Sequence, residues 1–145
     1  MKLKQLSLFL ENRPGSLSAP CRLLHQAGLN ILTLSLADTG EFGILRLVMR
    51  DWEKAKKILE QGGCVVKVTD VVAIAVNDCP GGLAQVLETI EKAQLNVEYM
   101  YAFTLKTENK GVLVFRFDNP DKAIAELKNS QVNVIDSVQL FEHLE

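Results

Sequence analysis

The chain repeats itself. Pro14-Gly15 and Pro80-Gly81 lie 66 residues apart; at that offset Leu17 falls on Leu83, Ala27 on Ala93, Leu29 on Leu95 and Asn30 on Asn96. Further on the offset becomes 68, pairing Gly43 with Gly111, Leu45 with Leu113, Lys54 with Lys122, Ala55 with Ala123 and Leu59 with Leu127. A hairpin loop tolerates a two-residue insertion and a core element does not. A chain of 145 residues built this way is two small copies of one supersecondary unit.

The elements of the unit follow from periodicity and punctuation. Residues 3–10 alternate, with Leu6, Leu8 and Leu10 on one face, and predict a strand. The Pro-Gly turn follows. A first helix is predicted from about Ser16 to Ala27, with Leu17, Cys21, Leu24 and Gly28 along one stripe, Pro20 near its start and Gly28 at its end. Its copy carries Leu83, Val86, Leu87, Ile90 and Gln94. A second strand, "NILTLSLAD", turns at Asp38–Glu41 into a third, "FGILRLVMR". A second helix starts after Asp51, read as its N-cap, and stops at Gly62-Gly63. In the other copy Asn119 caps and Pro120 takes the first helical position. A fourth strand, "CVVKV", closes the unit. The order is βαββαβ, so the fold class is α+β: two ferredoxin-like units, each an antiparallel sheet with helices on one face. The units are placed at 1–69 and 70–145.

Two further expectations concern the strands. "VVKVTDVVAIAV" has no residue to turn the chain, so one strand is expected to run from one copy into the next. In the second copy, Val97, Tyr99, Tyr101 and Phe103 are read onto one face, with Glu98, Met100 and Ala102 on the other. Val112 and Val114 fall on one face of the next strand, and Leu113, Phe115 and Phe117 on its opposite face. Both faces of that sheet are then partly apolar, which points to burial of the second face against another sheet or another subunit.

Composition narrows the function. Apolar residues make up 48% of the chain, enough for a packed core, and the net charge of −2 supplies no basic footprint for nucleic acid or anionic membrane. Cys21, Cys64 and Cys79 are scattered and form no C-x-x-C pair, so neither a disulfide framework nor a zinc site is expected. This usage fits a reducing cytoplasm. The N-terminal run is short and alternating and reads as a strand, not a signal peptide. No stretch approaches the roughly 20 apolar residues that span a membrane. His25 and His143 read as surface histidines. No Ser/His/Asp arrangement or activated cysteine can be assembled, so no catalytic residue, cofactor or metal is assigned.

The Pro-Gly turns carry the functional signal. A turn that ends a strand and opens a helix presents backbone N–H groups at the positive end of the helix dipole. Gly15 and Gly81 let a ligand approach the backbone. Asn12 adds a donor and an acceptor. These groups suit a zwitterion. Asn30 and Asn96 stand at the start of the second strand of each copy.

At these residues the chain resembles the ACT domain. "N-R-P-G-S-L" followed by "A-G-L-N-I" matches one copy, and "D-C-P-G-G-L" followed by "A-Q-L-N-V" a second. The resemblance covers essentially the whole chain and is greatest to stand-alone tandem ACT proteins. It implies a regulatory module that binds an amino acid or similar metabolite where two ACT units meet. It implies a first ligand loop of Asn12, Arg13, Pro14, Gly15, Ser16 and Leu17, with Asn30 and Ile31 facing a ligand held by a neighbouring unit. The second loop would be Asp78, Cys79, Pro80, Gly81, Gly82 and Leu83, with Asn96 and Val97. Leu10 and Val76 occupy the position where some serine-binding relatives carry histidine. Asp78 replaces Asn12 in the second copy and repels a carboxylate, so the two sites are expected to differ.

The resulting expectation is a non-catalytic sensor with a small-molecule ligand, a homodimer or higher oligomer with a possible partner enzyme, and no nucleic acid or membrane partner. The alternative is an ACT-type dimerisation subunit that binds no ligand and scaffolds an enzyme. A phosphohydrolase of the acylphosphatase type lacks its glycine-rich loop here. An RNA-binding reading of Tyr99, Tyr101 and Phe103 lacks a basic surface.

Overall fold

The computed structural model describes residues 2–107 and 109–143. Twelve elements follow one another: β1 (Leu3–Glu11), α1 (Ser18–Gln26), β2 (Thr33–Asp38), β3 (Phe42–Val48), α2 (Trp52–Gln61), β4 (Val66–Asn77), α3 (Gly82–Lys92), β5 (Val97–Thr107), β6 (Lys110–Phe117), α4 (Pro120–Lys128), β7 (Asn133–Ile135) and α5 (Ser137–His143). The chain divides into two compact units, one of Lys4–Thr69 and one of Met1–Leu3 with Asp70–Glu145. The division falls inside β4, which runs unbroken through the segment that lacks a turn residue.

In the Lys4–Thr69 unit the strand order is β2-β3-β1-β4. Leu6 pairs with Leu47, and Leu8 with Leu45. Directly paired residues share a face, and these four leucines pack with Leu24 of α1 and with Ala55 and Leu59 of α2. Both helices therefore cover one face of the sheet. The opposite face carries Gln5, Ser7 and Thr33, all buried, and Gln5 Nε2 donates to Ser7 Oγ at 3.1 Å.

The Asp70–Glu145 unit has the same plan, with order β5-β6-β4 and β7 on the other side of β4. Val72 pairs with Phe115 and Ile74 with Leu113. These residues meet Val86 and Ile90 of α3 and Ala123 and Leu127 of α4. Ala55 and Ala123, and Leu59 and Leu127, are fully buried at matching positions, so the sequence repeat is a repeat of core contacts.

Several expectations need correction. Along α1 the buried residues are Pro20 and Leu24, while Leu17 and Cys21 are exposed. Along α3, Val86 and Ile90 go inside, and Leu83 and Leu87 are exposed. Residues 17, 21 and 24 and residues 20 and 24 both satisfy helical spacing. The helix starts at Ser18, and packing selects the second set. Val97 does not share a face with Tyr99. A register shift between them turns Val97 into the helix-side core near Met100, while Tyr99 and Tyr101 pair with Arg116 and Val114. On the face away from the helices Val71, Ala73, Val112, Val114 and Phe103 are buried, as its apolar pattern predicts. Asp51 holds the N-cap position of α2 but makes no side-chain cap bond. Helix α5 lies beyond the elements that the repeat predicts; the Asp136 carboxylate accepts the Gln139 N–H at 2.8 Å, which marks its start.

Helix α4 starts as its sequence predicts. Asn119 Oδ1 accepts the Lys122 N–H at 3.1 Å, and Pro120 occupies the first helical position. Asn119→Ala is expected to cost about 1 kcal/mol, the usual value of a lost cap. Urea unfolding of the two proteins checks it, and an unchanged midpoint would mean the cap contributes nothing.

Candidate functional site

The two Pro-Gly turns are alike bond for bond. Asn12 N–H donates to Glu41 O at 2.8 Å, and Asp78 N–H to Asn109 O at 2.9 Å. Arg13 N–H donates to Glu11 O and Ser16 N–H to Arg13 O; Cys79 N–H to Asn77 O and Gly82 N–H to Cys79 O repeat the pattern. Gly15 has φ +89° and Gly81 φ +85°, the left-handed region that favours glycine. Neither α1 nor α3 has a side-chain cap. Among the described residues, no backbone acceptor serves the N–H groups of Gly15 and Leu17 in the first turn, or of Gly81 and Leu83 in the second. Both turns thus offer backbone donors at a helix N-terminus.

The antiparallel order brings the β2–β3 hairpin to the same end of the sheet as the first turn. Asn12 Nδ2 donates to Gly40 O at 3.0 Å and ties the two together. The hairpin is shaped locally: Asp38 Oδ1 accepts the Gly40 N–H at 2.6 Å, and Thr39 Oγ1 donates to Phe42 O at 3.0 Å. Between turn and hairpin lies a cavity of about 350 Å³. All six residues from Asn12 to Leu17 line it, with Leu10 and Glu11 from β1 and residues 36–38, 42 and 43 from the hairpin strands. Arg13 is paired with Glu11, Nε to Oε2 at 2.9 Å.

The second turn borders a more open cavity of about 470 Å³. Asp78, Cys79, Pro80 and Leu83 line it together with Val76, Asn77, Gly111 and Leu113. Gly81 and Gly82 are not in its lining among the described residues. Gly82 instead serves the packing of α3 on the sheet. A Cβ there would overlap the Asn77 carbonyl, so the helix starts hard against the end of β4. Ser16, at the matching place in the first turn, already carries a Cβ.

Asn30, Ile31 and Val97, at the second strands of the two units, lie elsewhere. Asn30 is exposed and Ile31 packs against the helix-side core of its own unit. Val97 does the same in the other unit. None of these residues, nor Asn96, lines the cavity at its own turn among the described residues. Conversely, sequence reasoning missed Leu36, Asp38, Gly40 and Phe42. The signal was available: in a βαββαβ unit the ends of the first and second strands lie at one end of the sheet, and their starts at the other.

The three cysteines are free, with Cys21 and Cys79 exposed; burial pushes the Cys64 thiol up from its ordinary value. His25 is exposed, and the side chain of His143 lies outside the described residues. Among the described residues, no group of three or more His, Cys, Asp or Glu could hold a metal ion, and no helix is long and apolar enough to cross a membrane.

Two βαββαβ units, each with an uncapped helix behind a Pro-Gly turn, make a tandem pair of ferredoxin-like modules. The chain belongs to the family described as ACT domain pair, whose model matches residues 1–144. It is similar to protein BT0572 from Bacteroides thetaiotaomicron, at 37% identity over 98% of this chain and 97% of that one, with a TM-score of 0.90. Its fold is also that of the regulatory subunit of aspartate kinase from Thermus thermophilus, at 13% identity, 88% and 90% coverage and a TM-score of 0.64. The corresponding subunit from Thermus flavus gives 16% identity, the same coverages and the same score. No curated protein matches the chain.

Proposed function

We propose that this protein is a non-catalytic regulatory sensor that binds an amino acid, or a metabolite of the same zwitterionic kind, at the first Pro-Gly turn. The supporting observation is the cavity there. It is concave, is bordered by two elements tied through Asn12, and is lined by Gly15 and Leu17, whose N–H groups have no backbone acceptor among the described residues. A carboxylate takes those donors at the positive end of the α1 dipole. Asn12 spends its Nδ2 on Gly40 and keeps Oδ1 as an acceptor for an ammonium. The second turn is the weaker site: its cavity is more open, and the Asp78 carboxylate disfavours an anion.

A ligand regulates only if its affinity differs between two arrangements of the protein. Asn30, Ile31, Asn96 and Val97 are assigned to ligands held by neighbouring units, in a homodimer or larger assembly and with a possible partner enzyme. A second reading, a ligand-free dimerisation subunit, is favoured by one observation. Leu34 and Leu36, on the outermost strand of their unit, are 49% and 53% exposed.

The test is a mutation series against whichever amino acid binds. Asn12→Ala and Gly15→Val should each weaken binding at least fivefold by calorimetric titration, and Asp78→Ala less than twofold. Loss through Asp78→Ala alone would move the site to the second turn. Binding unchanged in all three proteins would remove it from both.

A further inference from the structure

We propose that α1 carries half of a zinc site, Cys21 Sγ and the His25 imidazole, and that the same pair from a second copy of the chain completes it. The inference is independent of what binds at the first turn.

Cys21 and His25 lie one helical turn apart within α1. Side chains at i and i+4 share a face, with Cβ atoms about 5–6 Å apart. That is the spacing at which two ligands on one helix hold a single zinc ion. Both side chains are exposed, and the Cys21 thiol is free. Free cysteine is among the residue types most often buried, so packing alone does not select an exposed thiol beside an imidazole. Nor does the fold require the pair, because the matching positions of α3 are Leu87 and Glu91. A thiolate and an imidazole are ligands that zinc takes in tetrahedral sites, commonly two of each.

The pair stands on the outer flank of α1. Pro20 and Leu24 hold the helix to its unit's core. Leu23 lies against the end of α2, where a Cβ at Gly62 would overlap its Cδ1. Cys21 and His25, each two residues from Leu23, project about 160° away from it. Leu17, one turn before Cys21 on the same stripe, lines a cavity together with Leu36 of β2. On β2, the outermost strand, Leu34 and Leu36 pair with Leu47 and Leu45, so they share the helix side of the sheet, yet both stay exposed.

Among the described residues no third His, Cys, Asp or Glu joins the pair, so one chain leaves the ion two protein ligands short. Two α1 helices that meet antiparallel about a two-fold axis level with Leu23 set Cys21 of each copy beside His25 of the other. Leu17, Leu34 and Leu36 then supply apolar surface around the contact that a single copy leaves exposed. Closing the site releases the thiol proton, so zinc affinity rises with pH.

The experiment titrates the full chain, reduced and freed of metal, with cobalt(II) as the probe and then with zinc. A thiolate-to-cobalt band in the near ultraviolet and the strong visible bands of tetrahedral cobalt should saturate at one cobalt per two chains. Zinc should bleach both and tighten self-association at least tenfold in sedimentation runs. Cys21→Ser and His25→Gln should each weaken cobalt binding at least tenfold, with circular dichroism confirming that they fold, and Cys79→Ser should leave it unchanged. Absence of the thiolate band at millimolar cobalt would overturn the proposal. One cobalt per chain, with association unmoved by zinc, would also overturn it. A band that survives Cys21→Ser, or disappears in Cys79→Ser, would put the thiolate elsewhere and overturn it too.

Discussion

Phe115→Ala will lower the unfolding free energy by about 3–5 kcal/mol, the range for truncating a buried Phe. Phe115 is fully buried at the centre of the Asp70–Glu145 unit. Its ring stacks on Phe117 with centroids 5.7 Å apart and planes 12° from parallel. It pairs with Val72 on one side and Met100 on the other, so three strands lose contacts when the ring goes. Neighbours held in β-strands collapse only partly into the space left, and the cavity term adds to the transfer term. For a chain of this size each kcal/mol is worth roughly 2–4 °C, so the midpoint should fall by about 10 °C. A loss below about 1 kcal/mol in urea would mean that Phe115 is not in a rigid core.

Gly82→Ala will cost about 3 kcal/mol, the upper part of the range for forced overpacking. The obstacle is backbone: the new Cβ would sit on the Asn77 carbonyl, so the end of β4 or the first turn of α3 must shift to admit it. The matched control is Ser16→Ala at the equivalent position of the first turn. There a Cβ is already accommodated and the side chain is half-buried, so the change should be within about 0.5 kcal/mol. Thermal unfolding of the two variants measures the difference. Equal small effects would show that α3 can back away from β4, and that the turns differ less than their geometry implies.

The contrast between those two turns shows what a sequence of this kind discloses. The repeat, the hairpin at Asp38–Glu41 and the Asn119-Pro120 start are local signals, and each corresponds to the observed structure because a turn or cap needs particular residues. The uninterrupted β4 was legible for the converse reason, since nothing in its sequence turns the chain. What stayed hidden depends on packing between elements. Leu17, Cys21, Leu83 and Leu87 sit at valid helical spacings beside Leu24, Val86 and Ile90, yet only the latter three, with Pro20, face the core. The bulge after Val97 reverses a strand face without any Gly or Pro to announce it. At the site, the turn residues were legible because Pro-Gly is a chemical signal. Leu36 and Phe42 were not singled out: the βαββαβ order puts their strand ends beside the turn, but nothing in their residue types marks them until the hairpin is placed there.

The central claim is that the first turn holds an amino acid. Its most direct test is a thermal-shift screen of the wild-type chain against the twenty amino acids, with Gly15→Val in parallel. A ligand at one hundred times its Kd adds about 2.7 kcal/mol, which is several degrees here. The account predicts a shift of that size with one or a few amino acids, absent in a folded Gly15→Val protein. A flat screen with wild-type protein that melts cooperatively would contradict it and leave the ligand-free interaction subunit as the reading.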